Sequence, residues 1–165
     1  MYRKIEDFLE DWAYESEMTV KVFENLKEEF LNHTFHTENR TLGRLAWHIT
    51  HTIGEMMHRA GLPIEEMNLE PESLTLESVI SLYKRDAEAV KNAVKENWKD
   101  EDLDDKVPMY GQDWRKGYVL TILIRHQTHH RGQMTILMRQ AGLKVPGIYG
   151  PSREEWLDMG MPAMA

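Results

Sequence analysis

Two histidines four residues apart, His126 and His130, have a spacing that suggests chemistry. On a helix at about 100° per residue they stand about 40° apart on one face, a turn from each other, which is the spacing of a metal chelate. Val119, Ile122, Gln133 and Leu137 fall within about 40° of His126 on the same wheel, so both imidazoles are predicted to face an interior rather than water. A buried neutral imidazole needs a partner for its lone pair. Zinc, nickel or another borderline divalent ion would serve, with bonds of about 2.0–2.1 Å in the zinc case. The competing reading is a buried pair satisfied by hydrogen bonds alone.

A third ligand would decide between these readings. His48, His51 and His58 lie together in an earlier helical stretch whose apolar face runs through Leu42, Leu45, Ile49, Ile53 and Met56. His48 lies about 110° from the centre of that face and His51 about 170°, so His48 borders the core while His51 points away. His48 shares its polar margin with Arg44, Thr52 and Glu55. Glu55 is therefore a candidate outer acceptor for an imidazole N–H, against the plainer reading of a solvated helix glutamate. His129 stands about 100° from His130 and is expected outside the chelate, as a proton carrier or a solvent-facing residue. Gln133 is a candidate for orienting a ligand or its water, against the reading of an amide bonded to backbone. His33 and His36 have no partner at ligand spacing and read as surface residues.

Positioning these groups falls to helices. Apolar residues at spacings of three and four predict a first helix from Ile5 to Phe30, a second from Leu42 to Ala60, a third from Leu76 to Trp98 and a fourth from Val119 to Ala141. Thr75 reads as the N-cap of the third, and Gly142 as the stop of the fourth. Lys99 to Gly117 lacks a helical period and reads as a loop with a short hairpin around Val107 to Trp114. Ser152 with Glu155 is a capping-box signature for one short C-terminal helix. Gly132, inside the fourth helix, is expected to permit close approach of another helix or a loop. Four amphipathic stripes bury one another most simply as an all-α four-helix bundle, here expected as a single domain over residues 1–165.

Composition narrows the chemistry. The chain has eight histidines and no cysteine, which excludes disulfides, iron–sulfur clusters, cysteine-ligated zinc and a thiol nucleophile of its own. A net charge of −8 argues against nucleic acid as a partner. The opening MYRKIEDFLEDW carries acidic residues and no apolar run, so neither a secretory signal nor a membrane span is expected, and the expected location is the cytoplasm. The methionines of the tail, Met159, Met161 and Met164, read either as packed on the bundle or as disordered.

The stretches RTLGRLAWHI, HQTHHRGQ and YGPSREEW, in this order and spacing, resemble the DinB/YfiT-like superfamily of metalloenzymes, and the likeness runs through essentially the whole chain. The resemblance implies a four-helix bundle, a homodimer, and a divalent ion, often zinc or nickel, held by His48, His126 and His130. Relatives that use a low-molecular-weight thiol imply a metal-dependent transferase acting with a small thiol cosubstrate of the bacillithiol or mycothiol type. Two alternatives stand beside it. One is hydrolysis with an ion-activated water and Glu55 or His129 as proton carrier. The other is a stress-response protein that binds metal without turnover.

Overall fold

The computed structural model describes residues 1–162, and Met164 lies outside them. Four long helices form the bundle: α1 (Ile5–Glu24), α2 (Leu42–Arg59), α3 (Leu76–Asn97) and α4 (Lys116–Gln140). α1 packs against α3 and α4, and α2 packs against the same two, so α1 and α2 sit diagonally across the bundle. The core between them contains Phe8, Trp12, Phe23, Leu42, Ile49, Ile53, Tyr83, Leu120 and Leu123, all closed to solvent. Among the described residues, no helix is long and apolar enough to cross a membrane.

Local chemistry accounts for most boundaries. Thr41 accepts a hydrogen bond from the Arg44 amide at 3.1 Å and opens α2. Thr75 opens α3 as predicted, in a capping box with Ser78. Asp100, in a 3₁₀ turn far along the chain, accepts from the Ile5 amide at 2.8 Å and so caps α1 from a distance. Gly142 (φ +72°) follows α4, where the Leu143 amide returns to the Met138 carbonyl at 2.9 Å. Ser152 and Glu155 cap α5 (Arg153–Asp158) reciprocally. The expected hairpin forms from β1 (Lys106–Met109) and β2 (Gln112–Arg115), with Val107 opposite Trp114. Its two-residue turn has positive φ at both Tyr110 (50°) and Gly111 (80°), the conformation that matches strand twist.

Three expectations need correction. The first helix stops at Glu24, not Phe30. There the Asn25 side chain takes up the Lys21 carbonyl at 2.9 Å, and a 3₁₀ turn (Glu28–Phe30) comes next. Leu26 and Leu31 are buried by that turn, so a helix-like spacing of apolar residues continues after the helix has ended. Gly132 faces open space: a Cβ there would meet nothing within 4 Å, so no packing requires glycine. His33 is half-buried rather than on the surface, and its Nε2 lacks a hydrogen-bond partner among the described residues, because the 3₁₀ turn folds the connection back against α2. Met159 and Met161 are exposed.

The segment after α4 is tied to the bundle through α1. The Tyr149 hydroxyl donates to Glu15 Oε1 at 2.8 Å and accepts from Arg131 Nη2 at 2.7 Å. Arg131, only 1% exposed, also donates to the Glu15 carbonyl at 2.9 Å and pairs with its carboxylate. Lys21 bonds the Gly147 carbonyl and Glu155, while the Tyr14 hydroxyl donates to the Ile148 carbonyl.

Candidate metal centre

α2 and α4 run antiparallel side by side. The Gln127 amide donates to the Ile49 carbonyl at 3.0 Å and accepts the Tyr83 hydroxyl at 2.9 Å, which fixes their register deep in the core. Immediately beside this pin in sequence, His48 of α2 faces His126 and His130 of α4. His126 Nε2 lies 3.1 Å from His48 Nε2 and 3.1 Å from His130 Nε2, and the three ligand atoms all lie within 4.8 Å of one another. The rings meet edge to face, with centroids 4.4–4.9 Å apart. His130 is buried, and His48 and His126 are half-buried.

The nitrogens away from this meeting point determine what the three can do. His130 Nδ1 lies 2.7 Å from Gln133 Oε1, an oxygen that can only accept, so the ring proton is on Nδ1 and the Nε2 lone pair is free. His126 Nδ1 faces Thr52 Oγ1 at 3.4 Å, and that hydroxyl donates its own proton to the His48 carbonyl at 2.9 Å. Burial, with the charges of Arg40, the two neighbouring imidazoles and Arg44 behind it, pulls His48 down to about 3. Burial followed by His130, His129 and Arg40 pulls His126 down to about 4. Burial also lowers His130, against the opposing Gln133 hydrogen bond. All three are neutral at pH 7, the state in which imidazole binds a metal.

The Nε2 lone pairs of His126 and His130 face each other at 3.1 Å and repel unless a cation lies between them. Two nitrogens bound to one ion at roughly 2.05 Å are about 2.9 Å apart at a right angle and about 3.3 Å at the tetrahedral angle. The two 3.1 Å separations fall between these limits, and the third pair, His48 with His130, lies within 4.8 Å, so the three donors are close enough together to close on a single divalent ion.

The other predicted residues are distributed unevenly around this cluster. Gln133 links two histidines, since its Nε2 also reaches His129 Nε2 at 3.1 Å. His129 is exposed, with its ring centroid 4.8 Å from that of His130. Glu55 turns instead to Arg59, 3.4 Å away on the next turn, and makes no hydrogen bond to an imidazole among the described residues. His51 stacks on Trp47 at 4.6 Å, and His58 Nδ1 approaches the Ile64 carbonyl at 3.1 Å. Sequence reasoning misses Gln127 and gives Thr52 no role beyond a place on the polar margin. Thr52 stands one turn after His48, a spacing that could have found its contact with the site.

Comparison with known proteins agrees with this architecture. The model of the DinB family matches residues 1–161. The uncharacterized protein YrdA of Bacillus subtilis is 39% identical, over 99% of this chain and 98% of its own length. The crystal structure of a DinB-like protein from Bacillus cereus superposes with a TM-score of 0.84 at 38% identity, covering 90% of this chain and all of that one. The DinB-like protein YjoA of B. subtilis gives a TM-score of 0.69 at 17% identity over 88% of this chain and 98% of that one, a likeness of fold alone.

Proposed function

The chain belongs to the DinB family, and we propose that it is a metal-dependent transferase of a low-molecular-weight thiol, of the bacillithiol or mycothiol type. In this reading His48, His126 and His130 hold one zinc or nickel ion through Nε2. The observation that carries it is the convergence of three neutral imidazole nitrogens, with His126 at 3.1 Å from each of the other two. Three uncharged ligands leave both positive charges of the ion uncompensated and at least one coordination position open, the pattern of catalytic rather than structural sites. When bound, the ion supplies Lewis acidity that ionises a thiol or a water near neutral pH.

The protein's own residues prepare the site. Gln133 and Thr52 hold the protons of His130 and His126 on Nδ1 and keep both rings oriented. Because the chain has no cysteine, the sulfur nucleophile arrives with a cosubstrate. One observation favours a second reading, hydrolysis of an ester or amide: exposed His129 places an imidazole beside the triad, and its Nε2, once released by the Gln133 amide, can take the proton of an attacking water. We further propose a homodimer, to be checked by light scattering.

The test begins with untagged protein. Elemental analysis is expected to find one divalent ion per chain, lost in His48→Ala, His126→Ala and His130→Ala. Absence of stoichiometric metal in the wild type, or its retention in all three variants, overturns the reading. Metal-dependent consumption of monochlorobimane with a panel of thiols is then compared with turnover of a panel of esters and amides. Thiol dependence supports the transferase, ester or amide cleavage supports the hydrolase, and bound metal without either activity supports a binding protein.

A further inference from the structure

A cleft of about 460 Å³ lies along the bundle beside the triad, with Gln133 between the two. Its size is that of a small-molecule site. Leu45 lies three residues before His48, whereas Gln133, Ile136 and Leu137 lie three, six and seven after His130. Because α2 and α4 are antiparallel, Leu45, Gln133 and Leu137 continue the two histidine-bearing faces in the same direction, by about 5.4 Å per turn, with Ile136 turned aside toward the rim. The cleft and the triad also share Gln133, which lines the one and bonds His130 Nδ1 in the other.

The lining is mostly apolar and carries one cation. Leu45 and Leu137 form a buried floor, while Phe35 (66% exposed) and Ile136 (60% exposed) stand at the rim as large hydrophobic side chains left to solvent. Arg40 lines the same cleft and makes neither an ion pair nor a side-chain hydrogen bond among the described residues. Arg40 shares the cleft with Gln133, which bonds His130, so the guanidinium stands on the triad's side of the bundle. Glu38 is the one acidic residue of the lining, and it does not pair with Arg40. A ligand with several negative charges would meet that carboxylate, whereas a single charge can be taken by Arg40 alone.

We infer that this cleft binds a small amphipathic monocarboxylate, with Arg40 pairing its carboxylate, Phe35, Leu45, Ile136 and Leu137 enclosing its apolar body, and its reacting end directed at the three histidines. The inference rests on the reading of the triad as a metal centre. An Arg guanidinium matches a carboxylate with two parallel hydrogen bonds, which a neutral ester cannot reproduce.

The full chain loaded with cobalt(II) provides the test, with 6-mercaptohexanoate and its methyl ester as probes. Cobalt absorption reports the metal and the arrival of sulfur on it, and calorimetry reports affinity. The acid is expected to bind at least about tenfold more tightly than the ester, as a charge-assisted hydrogen-bonded pair should. Arg40→Gln is expected to bring the acid down to the ester's affinity while leaving ester binding and cobalt content unchanged. Arg40→Lys should restore part of the preference. Equal binding of acid and ester, a preference that survives in Arg40→Gln, or binding of neither probe to the cobalt protein overturns the assignment and leaves the metal centre standing. A wild-type chain that takes up no cobalt overturns the metal centre, and the inference with it.

Discussion

Gln133 is one amide that serves two imidazoles, accepting from His130 Nδ1 and donating to His129 Nε2. Groups that orient a metal-bound histidine typically contribute 10–100-fold to affinity, so Gln133→Leu is expected to weaken zinc binding by about that factor without changing helix content. Competition with a chromophoric chelator and far-ultraviolet circular dichroism check the two parts of this expectation. The helical wheel already places Gln133 on the site-bearing face, although nearest to His126 rather than to the ring it bonds. Protonation acts on the same side chains. His48 and His126 titrate at about 3 and 4 in the folded metal-free chain, against an ordinary 6.5. Between those values the unfolded chain binds more protons than the native one, so stability rises with pH there. The contribution is complete above about 6.5 and is lost as pH falls through the folded values. Chelator-treated protein is therefore expected to melt at a lower temperature at pH 5 than at pH 7.5. A His48→Gln chain should show a smaller difference, and equal melting temperatures for the wild type would mean that the imidazoles are not held neutral by the fold.

The elements that carry the site begin and end where local chemistry dictates. Thr41 caps α2 seven residues before His48, and Gly142 closes α4 beyond Gln140, so both site-bearing helices have well-defined ends. Signals of this kind are readable in sequence because each involves residues only three or four apart: Thr75 with Ser78, Ser152 with Glu155, Gly142 with Arg139. The end of α1 is not readable in the same way, because Leu26 and Leu31 are as buried beside a 3₁₀ turn as they would be in a helix. Gly132 is the converse case. With open space where a Cβ would lie, Gly132→Ala removes a helix-interior glycine at no steric cost. It is expected to stabilise the protein by about 0.5–1 kcal/mol, read from urea denaturation. A destabilised variant would show that the glycine serves a purpose other than packing or helix propensity.

At the scale of the molecule, the residue beside a triad histidine works on another side of the same helix. Arg131 is next to His130 in sequence, yet turns toward α1, where it meets Glu15 and Tyr149 and joins three parts of the chain. Both ionic partners are nearly closed to water, with side chains 1% and 11% exposed. Removing one member of such a pair leaves the other buried without its counter-charge. Arg131→Met is accordingly expected to cost about 3–5 kcal/mol in urea denaturation, and to make the chain after α4 more sensitive to protease. A loss below about 1 kcal/mol, the value typical of a surface pair, would show that the network does not hold the tail.

The sequence alone determined the features set by short-range periodicity and residue chemistry: four amphipathic helices, their caps, a hairpin, and an i, i+4 histidine pair on an inward face. It also carried the exclusion of cysteine chemistry. The wheel and the family resemblance already pointed to His48, whereas its distance from the pair belongs to tertiary structure, because the 3.1 Å between His48 and His126 depends on α2 lying beside α4, and the spacing of 78 residues between them encodes no distance. Tertiary structure likewise turned Glu55 to Arg59, half-buried His33, buried Arg131, and brought Arg40 and Ile136 to one cleft. The division has a physical origin. Helix geometry is a property of neighbouring residues, whereas a site is a property of surfaces that meet only once the core has formed.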